Sequence, residues 1–261
     1  MNQWEGIDVS QFNGEIDFDR VRSAGKSFVM VRAGWCGYDG SIQKDTRFDA
    51  NMRAAARAGL NAGIYLYSYA KTPQAARAAA DSLLELAGPY RLTYPVALDM
   101  EDSSLQGLGR ERLTEIAKAF LERIEEKGYY AALYTSSGWM QSFLTGEELT
   151  RFDWWIADWR QGTVPGSRWG MWQYRGDQGR VDGVSGPCDL DRAYRDYPAI
   201  MEKYGLNGLK RPQPEEGDTE AALREEVERL RREAEEWETK YRELEAGLRA
   251  LLQADQDQTV K

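Results

Sequence analysis

Apolar positions along this chain follow two rhythms that take turns from the N-terminus. Short apolar or alternating runs, "EGIDVSQ", "SFVMVRAGW", "NAGIYLYSYA", "YPVALDM" and "YYAALYTSS", read as five strands. Between them, "DFDRVRSAG", "DTRFDANMRAAARAGL", "TPQAARAAADSLLELAG" and "GRERLTEIAKAFLERIEEKG" read as helices. The third of these carries its own punctuation, with Thr72 as N-cap, Pro73 in the first turn and Gly88 at the end. Strands alternating with helices predict a mainly parallel sheet with crossover helices. After residue 136 the helical signal thins. "GWMQSFLTGEEL" supports one short helix, and "DWWIADWR", "RWGMWQYRG" and "GPCDLDRAY" are strand-like pieces joined by loops containing Gly and Pro. Eight strands, the last few without full helices, predict an α/β fold: a closed, irregular, TIM-like β/α barrel. An open doubly wound sheet is the alternative, but the first strand lacks the glycine-rich nucleotide fingerprint.

The pattern changes near residue 205. The barrel is assigned to residues 1–204, and "YGLNGLKRPQPEEGD" marks a linker over 205–218. Residues 219–253 then read as one helix. Its apolar positions, from Leu223 and Val227 through Trp237 and Tyr241 to Leu251, step by four and three without a break. That is the seam of a coiled coil, and it predicts a homo-oligomer. A helix folded back on the barrel is the competing reading. Residues 254–261 read as a disordered tail.

Composition narrows the function classes. A net charge of −9 argues against nucleic acid as a partner. The last 51 residues carry 9 basic and 15 acidic side chains, so the acidic balance sits mainly there. There is no histidine, which excludes Ser-His-Asp and Cys-His catalysis and removes the commonest metal ligand. Two cysteines, Cys36 and Cys188, are too few for a disulfide scaffold and read best as unpaired small hydrophobes. No secretory signal and no apolar stretch of about 18 residues is seen, so no membrane span is expected. Nine Trp and 14 Tyr suit a carbohydrate site, although most such rings fill cores.

The candidate chemistry is carboxylate chemistry. In "YPVALDMED", Val96, Leu98 and Met100 share one face of a strand, and Ala97, Asp99 and Glu101 share the other. The two acids then stand roughly 6.5–7 Å apart at their α-carbons. Acids this close repel, which raises a pKa, and a carboxyl protonated near neutral pH is what a general acid needs. Asp8 on the first strand and Asp189 on the last lie opposite apolar neighbours in the same way. Together they predict a carboxylate cluster at the barrel mouth, serving either a glycosidase or a divalent cation. Carboxyls about 5–5.5 Å apart suit a retaining glycosidase and about 6.5–9.5 Å an inverting one. An i, i+2 pair fits both. Candidate sugar contacts are Arg32, the tyrosines 65, 67 and 69, Tyr134, Trp155, Trp159, Trp172 and Tyr174. Tyr67, Tyr134 and Trp155 are preferred among them.

The ordered set "GIDVSQFNGEIDF", "VALDMED", "GYYAALYTSSGW", "WWIADW", "MWQY" and "VDGVSGPCDLDRAY" resembles glycoside hydrolase family 25, the Chalaropsis-type lysozymes, over residues 4 to 200. The resemblance implies an irregular β/α barrel and hydrolysis of the β-1,4 bond between N-acetylmuramic acid and N-acetylglucosamine in peptidoglycan, with no cofactor and no metal. It implies Glu101 as general acid and Asp99 as its partner, orienting the substrate's acetamido group or stabilising positive charge at the anomeric carbon. Asp8 and Asp189 would hold the network and the sugar. Two departures stand out: "YLYSYA" lies where many relatives carry a histidine, and "DLD" ends where an Asn often stands. With no export signal, the expectation is a phage or prophage endolysin, made in the cytoplasm and acting on the wall after release. The competing functions are a non-catalytic wall-binding protein with a multimerising tail and a metal-dependent barrel hydrolase.

Overall fold

A computed structural model describes residues 3–145, 147–163, 169–210, 228–229 and 231–232. The chain divides into the compact units Met1–Pro212 and Gln213–Lys261. The expected coiled coil lies outside the described residues, apart from helical Glu228, Arg229, Arg231 and Arg232.

The first unit is a closed barrel. Its strands are β1 (Trp4–Val9), β2 (Phe28–Cys36), β4 (Asn61–Ser68), β5 (Val96–Asp99), β6 (Ala131–Ser136), β7 (Asp153–Ala157), β8 (Trp169–Arg175) and β9 (Asp189–Ala193). Pairing of β1 with both β2 and β9 closes the ring. A ninth strand, β3 (Ile42–Lys44), hangs on β2 as a hairpin that the sequence pattern did not announce. Helices α1 (Phe18–Ser23), α2 (Phe48–Arg57), α3 (Pro73–Ala87), α4 (Arg110–Glu126) and α5 (Ser137–Phe143) fill the crossovers up to β7. Thr72 caps α3, accepting from the Ala75 amide at 3.1 Å, with Pro73 in the first turn, as the sequence predicts. Cys36 and Cys188 are free and buried.

One strand reverses. β9 runs antiparallel to both its neighbours. The segment between β8 and β9 holds no crossover helix among the described residues, and a chain that does not cross over returns antiparallel. The N-terminal end of β9 therefore stands at the mouth, where the other strands end, and its C-terminal end is at the base.

Alternation sorts the side chains. Ile7, Val29, Val31, Ile64, Val96, Leu98 and Leu133 face outward under the helices. Phe28, Met30, Tyr65, Ala97, Tyr134, Trp155 and Met171 face inward. The base is plugged by packed rings: Phe28 stacks on Tyr94 at 4.4 Å, and Tyr197 lies tilted against Tyr94 at 5.0 Å. Gly6 is glycine because any β-carbon there would enter the Phe28 ring.

Tyr197 opens α6 (Tyr197–Tyr204), a helix absent from the sequence reading. The chain then stays with the barrel to Lys210, so the boundary expected at residue 204 falls inside the compact unit. Asn207 explains why. It is buried, at φ 55°, a left-handed conformation that Asn tolerates. Its side chain accepts from the Tyr130 amide at 2.8 Å and donates to the Tyr94 carbonyl at 3.0 Å and the Leu92 carbonyl at 3.3 Å. Asn207→Ala leaves these groups unpaired at the base and should lower stability by about 1–3 kcal/mol. Urea unfolding should show a lower midpoint at unchanged slope. An unchanged midpoint would mean that the segment is only a tether.

Candidate active site

The mouth is built by strand ends. β1 delivers Asp8 and β9 delivers Asp189, and these two are direct partners across the pair of strands. β5 delivers Asp99, in register with Tyr67 of β4 and Tyr134 of β6. The chain stays extended past β5: the Met100 amide donates to the Tyr134 carbonyl at 3.0 Å, and the Met100 carbonyl accepts from Thr135 Oγ1 at 2.7 Å. Glu101 is thereby held on the inner side. Asp102 then turns the chain, capping a short 3-10 turn through the Ser104 amide and accepting from the Tyr67 hydroxyl at 3.1 Å.

The two acids of the D-x-E differ in environment. Asp99 is buried, with Oδ1 unpartnered. Burial pushes its pKa well up, the Glu101 charge adds to this, and Arg32 opposes it. Glu101 is half-buried and opens into a cleft of about 680 Å³, lined also by Tyr134, Asp158, Trp159, Gln173 and Asp189. Its pKa is raised, first by burial and then by the charges of Asp189 and Asp102.

A second carboxylate group lies against the first. Asp8 is buried and its pKa is well raised, by burial and by the charges of Asp191 and Asp189. Asp189 is pushed to about 6, chiefly by burial and by the charge of Asp177, and fully buried Asp191 to about 7, chiefly by burial. The charges of Asp191 and Asp189 both act on Asp8, so the three titrate together. Two neutral donors orient them. Gln173 Nε2 donates to Asp8 Oδ2 at 2.7 Å, and Trp155 Nε1 donates to Asp191 Oδ1 at 2.7 Å.

The structure brings together Glu101, Asp99, Asp8, Asp189, Arg32, Tyr67 and Tyr134. It places two expected sugar contacts elsewhere. Trp155 points into the barrel but is 1% exposed, beneath Tyr134 with its ring centroid 4.5 Å away, so it holds Asp191 rather than a sugar. Tyr174 faces the outside of the barrel, where its hydroxyl donates to Glu5 Oε2 at 2.7 Å beside Arg192. Trp159, named as a candidate but not preferred, is the open aromatic: it is 51% exposed and lines the cleft.

Gln173 went unrecognised in the sequence. Its Oε1 accepts from Tyr134 at 3.1 Å and from Trp159 Nε1 at 3.1 Å, while its Nε2 reaches Asp8. One amide therefore ties the deep acids to the cleft aromatics. The available signal was a polar residue at an inward position between Met171 and the strand end in "MWQY".

The arrangement has a defined pH signature. A general acid works only while protonated, so with Glu101 in its expected role as general acid, activity falls as pH rises through its pKa. The Asp189 charge raises that pKa. Asp189→Asn should therefore move the alkaline limb of the pH–rate profile to lower pH, read from kcat/KM on soluble glycan. A limb that stays in place would uncouple the two acids.

The model of glycosyl hydrolases family 25 matches residues 7–184. Lysozyme M1 of Streptomyces globisporus is 32% identical over 203 residues, covering 72% of this chain and 67% of that protein. N,O-diacetylmuramidase of Arthroderma benhamiae is 29% identical over 181 residues, covering 65% of this chain and 73% of that protein. Among solved structures, the bacterial lysozyme from Streptomyces coelicolor superposes with a TM-score of 0.65 at 28% identity, covering 78% of this chain and 98% of that one. The modular autolysin LytC from Streptococcus pneumoniae shares the fold, with a TM-score of 0.65 at 23% identity, and this chain covers 47% of it.

Proposed function

Because this chain belongs to glycosyl hydrolases family 25, we propose that it is a peptidoglycan muramidase, hydrolysing the β-1,4 bond between N-acetylmuramic acid and N-acetylglucosamine. The observation that carries the reading is Glu101: a carboxyl with a raised pKa, open to a cleft, backed by a buried acid with an unpartnered oxygen. Glu101 protonates the leaving glycosidic oxygen. Asp99, within the mouth, meets the positive charge that develops at the anomeric carbon or fixes the acetamido group beside it. Asp8, Asp189 and Asp191 act as one proton-sharing group that holds the floor of the site. Trp159 and Tyr134 offer ring faces to the sugar.

The competing readings lose support on specific atoms. A wall-binding module gains nothing from burying an unpartnered carboxyl, which costs stability. A metal site needs carboxylate oxygens aimed at one point, whereas the Asp8 oxygens are engaged by Gln173, Tyr65 and the neighbouring acids. Self-association through residues 219–253 rests on the heptad seam alone, and the endolysin origin on the sequence reading alone. Action at the bacterial wall follows from the substrate.

The test is release of reducing groups from purified peptidoglycan, in the presence and absence of chelator. Steady, chelator-insensitive release is expected. Binding to the polymer without release would restore the wall-binding reading.

A further inference from the structure

Cationic side chains stand around the mouth, and Arg32, Arg160 and Lys71 among them differ in their partners. Arg32 Nε bonds Asp45 Oδ2 at 2.8 Å. Arg160 forks onto Asp158, with its Nε at 2.8 Å from Oδ1. Lys71 has no carboxylate partner among the described residues. Its Nζ instead sits 3.7 Å from the ring centroid of Tyr38, a contact that holds an ammonium without neutralising it.

Lys71 ends a row of rings that starts at the catalytic pair. Tyr67, in register with Asp99 and bonded to Asp102, lies 5.2 Å from Tyr69. Tyr69 lies 6.4 Å from Tyr38, edge to face, and Tyr38 is 55% exposed. The backbone locks this row in place. The Tyr69 amide bonds the Cys36 carbonyl at 3.1 Å, and the Lys71 amide bonds the Tyr38 carbonyl at 3.4 Å, so the hairpin of β2 and β3 is stitched to the end of β4. The mouth itself is lined by acids. An anionic group on the substrate is repelled there and finds an unneutralised cation at the end of the row.

We propose that the row Tyr67–Tyr69–Tyr38, closed by Lys71, is a subsite for a carboxylate-bearing peptide substituent on the glycan strand. The proposal rests on the muramidase reading. In that polymer muramic acid carries a short peptide through its lactyl ether, and the free carboxylates of this peptide supply the negative charge. The rings give the peptide stem and its sugar flat apolar faces, and Lys71 selects the charge. The consequence is a preference for peptide-bearing glycan over bare glycan of equal length.

The experiment uses the full chain and two soluble glycans of alternating sugars, one with its peptides and one stripped of them by an amidase. The reading is the ratio of kcat/KM on the two. Wild type should favour the peptide-bearing glycan, and the preference should shrink as salt is raised. Lys71→Glu should cut the ratio by about fivefold or more, the scale of an exposed ion pair removed and reversed. Lys71→Arg should keep it. Equal loss on both glycans in Lys71→Glu, or an unaltered ratio, would overturn the subsite. If Tyr38→Ala impairs both glycans equally, the row stacks bare sugar and the peptide assignment fails. Wild type that cleaves both equally removes only the subsite; wild type that cleaves neither removes the muramidase reading as well.

Discussion

Glu101→Gln will lower the rate of reducing-end release from peptidoglycan by about 10²–10⁴, the range for loss of a general acid. The amide keeps the size of the side chain and its place in the cleft, but it cannot give up a proton to the leaving oxygen. Glu101 is held by backbone bonds around Met100 rather than by its own side chain, so the substitution leaves the fold in place. Circular dichroism and the unfolding midpoint should match those of wild type. A folded Glu101→Gln protein with near-normal turnover would remove Glu101 from the role.

Asp99→Asn should separate activity from stability. Turnover should fall by about 10²–10³, the cost of losing one preorganised electrostatic partner of the transition state. Stability at neutral pH should hold or rise. Burial, together with the Glu101 charge, raises the Asp99 pKa in the folded state. The unfolded chain ionises this group near 3.9, so the folded state binds more protons between that pH and the raised value. Asp99 therefore weakens the fold progressively as pH rises through that window. The amide does not ionise and lacks this penalty. The difference in melting temperature between Asp99→Asn and wild type should be largest at neutral pH and vanish below about pH 4. A variant that loses stability equally at both pH values would make Asp99 a packing residue.

Much of this site was legible because a strand offers only two faces. "VALDMED" places Asp99 inward as soon as Val96 and Leu98 are assigned to the outer core, and the structure agrees. The same rule gives Asp8 opposite Ile7 and Val9. Asp189 was found, but its position at the mouth has a different cause from the one strand order suggests. It lies at the start of a reversed strand, and a loop without a helix carries no mark of direction. Depth was the harder quantity. Trp155 faces inward, as expected, but alternation says nothing of the layer above it, where Tyr134 closes over the indole. β8 misled by composition. With Met171, Trp172, Gln173 and Tyr174 in succession, large residues lie on both faces, and no polar–apolar contrast marks the inside. Gln173 and Tyr174 consequently exchanged importance.

The most direct measurement of the central claim is the identity of the new reducing end. Purified peptidoglycan is digested to completion with the full chain, reduced with borohydride, hydrolysed and analysed for amino-sugar alcohols. Cleavage on the muramic acid side by Glu101 yields muramitol and no increase in glucosaminitol. Glucosaminitol as the new end, or neither alcohol above the undigested control, would contradict the assignment of this cleft as a muramidase site.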